Sequence, residues 1–435
     1  MATKDVIFTL FLMLGAGLAT ELAAGVLRIP KMLLLLGAGA LLGPAVLGQI
    51  DVPLDATGIQ VLLTLGVSVI LFHGGLQLHA HVLKPVAVGL SLLVLPGMIL
   101  TALVTGLVAS AVFGLPFWSG LLIGAVLAPT DPAILIPLFE RMRIKPKLSQ
   151  TIVAESALND PTGAVLALAI AGIILSGHVS LTHTAWSFVE DLGISTGLGI
   201  LFGLLSAVAV SKRWAGIWGE PVSIVMMAVG VGGYFSIDFA GGSGYLGAFI
   251  AGLIVGNMDI FRLGMDPENE RDLRTFVGIG SDVVVMLVFI TVGANLPWSD
   301  MRENVLPALA VVATLLFVAR PLTIAACLLP DRRGRWSRNE LLFLAWTRET
   351  GVVPAALAGI IVAMGVPDAS LVVTTVAIAI VVTLTLQSST KPWLARRLGL
   401  LETAAPPSEA GAATPETAPA GDASLAFSIP GVALE

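Results

Sequence analysis

Glu155-Ser156-Ala157-Leu158-Asn159-Asp160-Pro161 lies inside an apolar stretch long enough to cross a bilayer, and Pro129-Thr130-Asp131-Pro132-Ala133 interrupts the apolar stretch before it. A carboxylate at bilayer depth costs at least about 2.5 kcal/mol, so it marks a working position rather than a filler one. Asp131, Glu155 and Asp160, with hydroxyl and amide neighbours on consecutive apolar segments, supply the parts of an oxygen-lined site for a small cation. Among function classes, ion transport is the one that needs such a site.

The rest of the chain has the same character. Its 435 residues are 56% hydrophobic and 12% charged, with a mean hydropathy of +0.95. A soluble domain carries about 25% charged residues, so the composition implies a polytopic all-α membrane protein. The single Cys327 excludes an internal disulfide framework. Residues 5–27 are too long for a cleavable leader's apolar region and run directly into another span. The net charge of −6 matters less than where the charges fall, and nothing points to nucleic acid.

Thirteen apolar segments are expected, at about 5–27, 31–49, 57–78, 85–113, 118–140, 147–176, 184–210, 219–238, 243–260, 276–297, 305–329, 338–364 and 368–390. With thirteen spans, alternate loops collect nineteen Lys and Arg on one side, Lys391 among them, against two, Lys4 and Arg302, on the other. Cytoplasmic loops gather basic residues, which places the N-terminus outside and the C-terminus in the cytoplasm of a cell (inner) membrane. Trp118, Trp186, Trp214, Trp218, Trp298, Trp336 and Trp393 fall at segment ends, where an amphipathic ring anchors at the headgroups; Trp346 lies deeper. Gly15-Ala16-Gly17 and Gly37-Ala38-Gly39 suit close helix packing in lipid. Residues 262–275 read as a short amphipathic helix on the cytoplasmic face, and the Ala-, Pro- and Glu-rich end, 398–435, as a disordered cytoplasmic tail.

Two segments carry breaks. Pro129, Pro132 and Pro137 flank Thr130-Asp131 in the fifth, and Thr347-Arg348-Glu349-Thr350-Gly351-Val352-Val353-Pro354 interrupts the twelfth. Proline removes a backbone donor, and irregular backbone at this depth survives only where protein or a cavity satisfies it. The broken segments are seven spans apart and cross the membrane in opposite senses. Interrupted spans at matching places of inverted repeats are a pointer to a transporter's binding site.

The run Pro129-Thr130-Asp131-Pro132-Ala133, a basic loop and Glu155-Ser156-Ala157-Leu158-Asn159-Asp160-Pro161 together resemble the monovalent cation:proton antiporter family, in particular its NhaP-type sodium/proton exchangers. Arg320-Pro321, Leu71-Phe72-His73-Gly74-Gly75 and Gly242-Ser243-Gly244-Tyr245-Leu246-Gly247 fit the same pattern, in order, across residues 5–397. The resemblance implies two unwound, crossing helices in a core domain (residues 85–176 and 305–390) that moves against a dimerisation scaffold (5–78 and 184–297) within a homodimer. It further implies that Asp160 takes either the cation or the proton, with Asp131, Ser156, Thr130 and Asn159 around it. Sodium would then be held by Asp160, Asp131, Ser156 and Thr130. No cofactor is expected beyond the transported ions, and lipid is the surrounding partner.

Several roles follow by chemistry within that frame. Burial favours a protonated carboxyl and a bound cation favours an ionised one, so the two ligands displace each other at Asp160. Electrogenic relatives carry a second Asp where this chain has Asn159, so one proton per cation is expected, in keeping with a part in pH homeostasis. Asp131 is assigned to the half-helix N-terminus. Glu155 and Arg320 are expected to form a structural ion pair. Arg348 and Glu349 are expected to neutralise each other and the half-helix ends of the twelfth segment. His73 stands where relatives often place an acid, and reads either as a satisfied histidine or as a pH gate. Glu21, Asp238 and Asp282 are expected to pair locally or line a cleft.

Other classes fare worse. Gly241-Gly242-Ser243-Gly244 matches the Gly-x-Ser-Gly of a membrane-embedded serine protease, but no histidine follows His183 to act as base. A channel needs a continuous polar pore, and the polar residues here are few and central. A non-transporting sensor on the same scaffold stays open, as does potassium in place of sodium, since the ligand set suits either ion.

Overall fold

In lipid, backbone groups have no water to pair with, so each apolar run closes its hydrogen bonds within itself as a helix. The structure, a computed structural model, describes residues 3–27, 29–80, 86–131, 139, 142–177, 181–212 and 222–401. Among these, regular structure is helical apart from one bridge between Ile144 and Leu401. In chain order the helices are α1 (Thr3–Leu27), α2 (Lys31–Leu42), α3 (Thr57–Gln77), α4 (Ala87–Phe113), α5 (Phe117–Leu127), α6 (Pro146–Ser176) and α7 (Leu181–Val210). Then follow α8 (Val222–Phe239), α9 (Gly244–Gly256), α10 (Pro267–Ala294), α11 (Trp298–Leu328), α12 (Arg338–Trp346), α13 (Val352–Ala363) and α14 (Ala369–Arg397).

Among the described residues eight stretches, in α1, α3, α4, α6, α7, α10, α11 and α14, are long and apolar enough to cross a membrane. The expected second, fifth, eighth, ninth and twelfth segments hold shorter apolar helices. Large apolar side chains such as Phe11, Leu22, Leu306 and Phe317 stand exposed, as they do on a chain whose outer solvent is lipid.

Glycine governs how closely the helices approach. A Cβ on Gly75, Gly252 or Gly256 would run into the facing backbone between α3 and α9, and one on Gly39 or Gly293 would do so between α2 and α10. Of the two small-residue pairs singled out above, only the second glycine of each, Gly17 and Gly39, is at a contact. Helices α4–α6 and α11–α14 pack chiefly on one another, and α1–α3 with α7–α10 do likewise. Between the two groups, α13 touches α3 and α10, and α6 touches α9.

Three expectations change. Residues 262–275 are not a separate helix: Asp266-Pro267 starts α10, Glu268 and Glu270 fill its first turn, and no breaker interrupts it before Ala294. Lys391 is not in a loop, because α14 runs on to Arg397 and buries it completely. Leu398–Leu401 are ordered: the Lys145 N–H donates to the Leu400 carbonyl at 3.1 Å, and the compact unit ends at Leu401. The rest of the expected tail lies outside the described residues, as do Pro132 and Pro137 of the fifth segment.

Candidate functional site

Helix α5 ends at Leu127 and α12 at Trp346, and the backbone after each, 128–131 and 347–351, is not helical. The two breaks meet. The Asp131 N–H donates to the Glu349 carbonyl at 3.0 Å, and the Val352 N–H donates to Asp131 Oδ2 at 3.0 Å. In return, the Arg348 guanidinium donates to the carbonyls of Leu127, at 2.9 Å, and Ala128. Each charge therefore sits at the helix end of opposite sign: an acid at the first N–H of α13 and a base at the last carbonyls of α5.

Gly351 permits this approach, because a Cβ there would overlap the Asp131 carboxylate, which is buried and cannot swing into water. Gly351→Ala is expected to displace Asp131 and to lower thermal stability by about 1–3 kcal/mol, the usual range for an overpacked core. A melting curve of the purified variant in detergent tests this, and an unchanged midpoint would show that the carboxylate is not wedged there.

Helix α14 holds the second break at three successive residues. The Gln387 Oε1 accepts from the Arg348 N–H at 3.2 Å, Lys391 pairs with the Glu349 carboxylate, and Thr383 Oγ1 accepts from the Thr350 N–H at 3.1 Å. This corrects the expectation for Arg348 and Glu349, which do not neutralise each other: each is matched across the packing rather than along the chain. Lys391, Gln387 and Thr383 were not among the site residues read from sequence. Their four-residue spacing, which puts them on one face of α14, is the signal that could have found them.

Helix α6 brings its polar turn against the first break. Ser156 Oγ and Thr130 Oγ1 lie 2.8 Å apart, and Gly163 leaves room for the Pro129 ring. Asn159 and Asp160 follow within the same turn, both buried, and Asn159 Oδ1 and Asp160 Oδ1 have no hydrogen-bond donor. Buried polar atoms are nearly always paired, so these oxygens are free to accept from a water or to face a cation. Asp131 is near enough to act electrostatically on Asp160. Among the described residues no three His, Cys, Asp or Glu side chains gather as a metal-holding group.

One turn earlier, Glu155 and Arg320 form a two-pronged ion pair, with Arg320 Nη2 at 2.9 Å from Glu155 Oε2 and Nη1 on Oε1. Arg320 follows a π-helical stretch, Leu315–Ala319, and its Nε also donates to the Leu344 carbonyl at 3.1 Å, capping the last turn of α12. Among the described residues around the breaks, the buried acids are Asp131, Glu155, Asp160 and Glu349, and the buried bases are Arg320, Arg348 and Lys391. Acids exceed bases by one.

His73 stands apart from this cluster. Its Nε2 lies 2.9 Å from the Gln77 amide on the same helix, and its ring rests near Gly278 of α10. Glu21 and Asp282 both pair with Lys31, at 3.5 and 3.6 Å.

The sequence profile described as "Sodium/hydrogen exchanger, transmembrane" matches residues 8–397. The chain belongs to this exchanger family. Its members are transporters rather than enzymes, and the NhaP-type resemblance read from the motifs is shown by the relatives. The K(+)/H(+) antiporter NhaP of Alkalimonas amylolytica is 29% identical over 85% of this chain and 63% of its own length. The Probable Na(+)/H(+) antiporter 2 of Methanocaldococcus jannaschii is 29% identical over 77% of this chain and 79% of its own. Among solved structures, the sodium proton antiporter MjNhaP1 from Methanocaldococcus jannaschii superposes with a TM-score of 0.77 at 27% identity, covering 91% of this chain and 99% of that one. The chain spans less than two thirds of the length of the curated NhaP relative it matches.

Proposed function

We propose that this chain exchanges sodium or lithium for protons across the membrane, one for one, with cation and proton competing for Asp160. The observation that carries the reading is the single excess acid among the buried charges at the two helix breaks, together with the undonated Asp160 oxygen. Asp131, Thr130, Ser156 and Asn159 would complete the oxygen set. A bare buried carboxylate is costly to move through lipid, so the carrier reorients only when Asp160 holds one of its two ligands. That restriction makes transport an obligatory exchange.

In this reading all thirteen segments span the membrane, with α4–α6 and α11–α14 as the moving core and the other helices as a scaffold through which two copies dimerise. The N-terminus lies outside and the C-terminus in the cytoplasm of a cell membrane. Burying Lys391 lowers the cytoplasmic set of basic residues to eighteen against two, which leaves the orientation argument intact. Potassium in place of sodium is a second reading, favoured by the names of the Alkalimonas and Shewanella relatives, which are called K(+)/H(+) antiporters.

Everted vesicles loaded with a pH-sensitive dye test both. Dequenching on addition of sodium, lithium or potassium establishes exchange and ranks the ions, and silence with all three rejects it. The apparent affinity for the cation is expected to fall as pH falls, by about tenfold per pH unit once protons dominate the site. Imposing a membrane potential without an ion gradient is expected to drive no cation uptake; uptake under potential alone would mean that Asp131 also exchanges its charge.

A further inference from the structure

Glu349 and Lys391 are the least accessible ion pair among the described residues, with both side chains 0% exposed. In the exchange reading they do no more than cancel each other in the count of buried charges. Their neighbours show that a charged pair is not needed to hold the break: on either side of it, neutral Gln387 and Thr383 accept the N–H groups of Arg348 and Thr350. A buried ion pair is moreover a poor route to stability, since desolvating two charges offsets most of their attraction. The charges therefore call for a role beyond fastening.

Position supplies one. Glu349 is joined to Asp131 through the main chain, its carbonyl accepting the Asp131 N–H at 3.0 Å. Its Oε2 has no donor, so Lys391 alone balances the carboxylate locally. The other charges beside the pair are Arg348 on the same break and Arg320 of α11, which acts electrostatically on both Arg348 and Lys391. Asp131 completes the set. Charges in such an interior are weakly screened, so a unit added or removed at Glu349 or Lys391 reaches Asp131, whose N–H the Glu349 carbonyl accepts.

We propose that the Glu349–Lys391 pair is an electrostatic counterweight, set beside the exchange site to fix how tightly that site holds its cation. The proposal rests on the antiport reading and makes a prediction of sign. Removing the base leaves Glu349 bare and tightens cation binding, whereas removing the acid leaves Lys391 bare and weakens it.

The test is the apparent KM for sodium, lithium and potassium in proteoliposomes at neutral and at alkaline pH, since a bare carboxylate is most ionised at the alkaline end and a bare lysine holds its proton better at the neutral one. Lys391→Met is expected to lower KM by about five- to twentyfold and Glu349→Gln to raise it by a similar factor, as a nearby unit charge does in a poorly screened interior. The double variant is expected to return to within about twofold of the parent, because it restores the charge balance. Lys391→Gln, which keeps a donor for Glu349, carries the same sign and serves if Lys391→Met does not fold. Both single variants shifting KM in one direction, or both matching the parent, overturns the proposal. Cation-dependent thermal stabilisation of the purified protein reads the same affinities without transport. A parent that binds cations but exchanges none would thus reject the antiport reading while leaving the sign test in force.

Discussion

Asp160→Asn is expected to abolish cation/proton exchange while leaving the protein folded. The amide is nearly isosteric with the carboxyl it replaces and neutral, so the α6 turn around Ser156 and Asn159 loses no packing and a buried charge is removed. Its amide cannot take a proton in the working pH range and offers a cation no charge. In proteoliposomes, dissipation of a pH gradient on adding sodium, lithium or potassium should fall to the rate of protein-free vesicles. A second readout separates loss of function from loss of structure. Ligands that bind only the native state stabilise it, by about 2.7 kcal/mol at a hundredfold excess over Kd, and so raise the melting midpoint. The parent should therefore show cation-dependent stabilisation, larger at alkaline pH where protons compete less, and the Asn variant none. Exchange by a folded Asp160→Asn protein would remove Asp160 from the mechanism.

Arg320→Ala is expected to cause the largest loss of stability of any single change. It strips Glu155 of a two-pronged partner in a site where both side chains are nearly inaccessible, and it leaves the Leu344 carbonyl at the end of α12 with the Thr347 N–H alone. Breaking a buried pair from one side costs about 3–5 kcal/mol, because an uncompensated charge stays behind. The variant should express poorly and melt well below the parent in detergent. Replacing both partners with apolar residues, Glu155→Leu with Arg320→Met, should cost less than Arg320→Ala alone, since no bare charge remains. Arg320→Lys should fall between, because one ammonium cannot reproduce the two-pronged contact and the cap together. A melting midpoint unchanged by Arg320→Ala would show that the pair carries no structural weight.

The two variants test different layers of one arrangement. In the proposed reading Asp160 is the exchanging acid, and Arg320 belongs to the ion pair that matches Glu155. The pair at Glu349 and Lys391 lies between these roles, since it touches the break that carries Asp131 and yet is closed off from solvent.

Much of this was legible in the amino-acid order alone. Apolar runs too long and too uncharged for a soluble core determine a helical membrane protein, because lipid leaves the backbone no partner but itself. Acids within those runs, at Asp131, Glu155 and Asp160, single out the site through their desolvation cost, and prolines and glycines at 129 and 351 mark where helices must open. Those are local properties, written in composition and spacing. Which charge answers which was decided only in the tertiary structure. Arg348 and Glu349 are adjacent and opposite, so the chain order suggests that they neutralise each other, yet Arg348 caps α5 and Glu349 pairs with Lys391, 42 residues further on. Lys391 itself looks like a loop residue because it precedes Pro392-Trp393, and it is buried because α14 continues through that proline and packs against the break. Partner choice in a low-dielectric interior depends on distance and desolvation after packing, and neither exists until the helices meet.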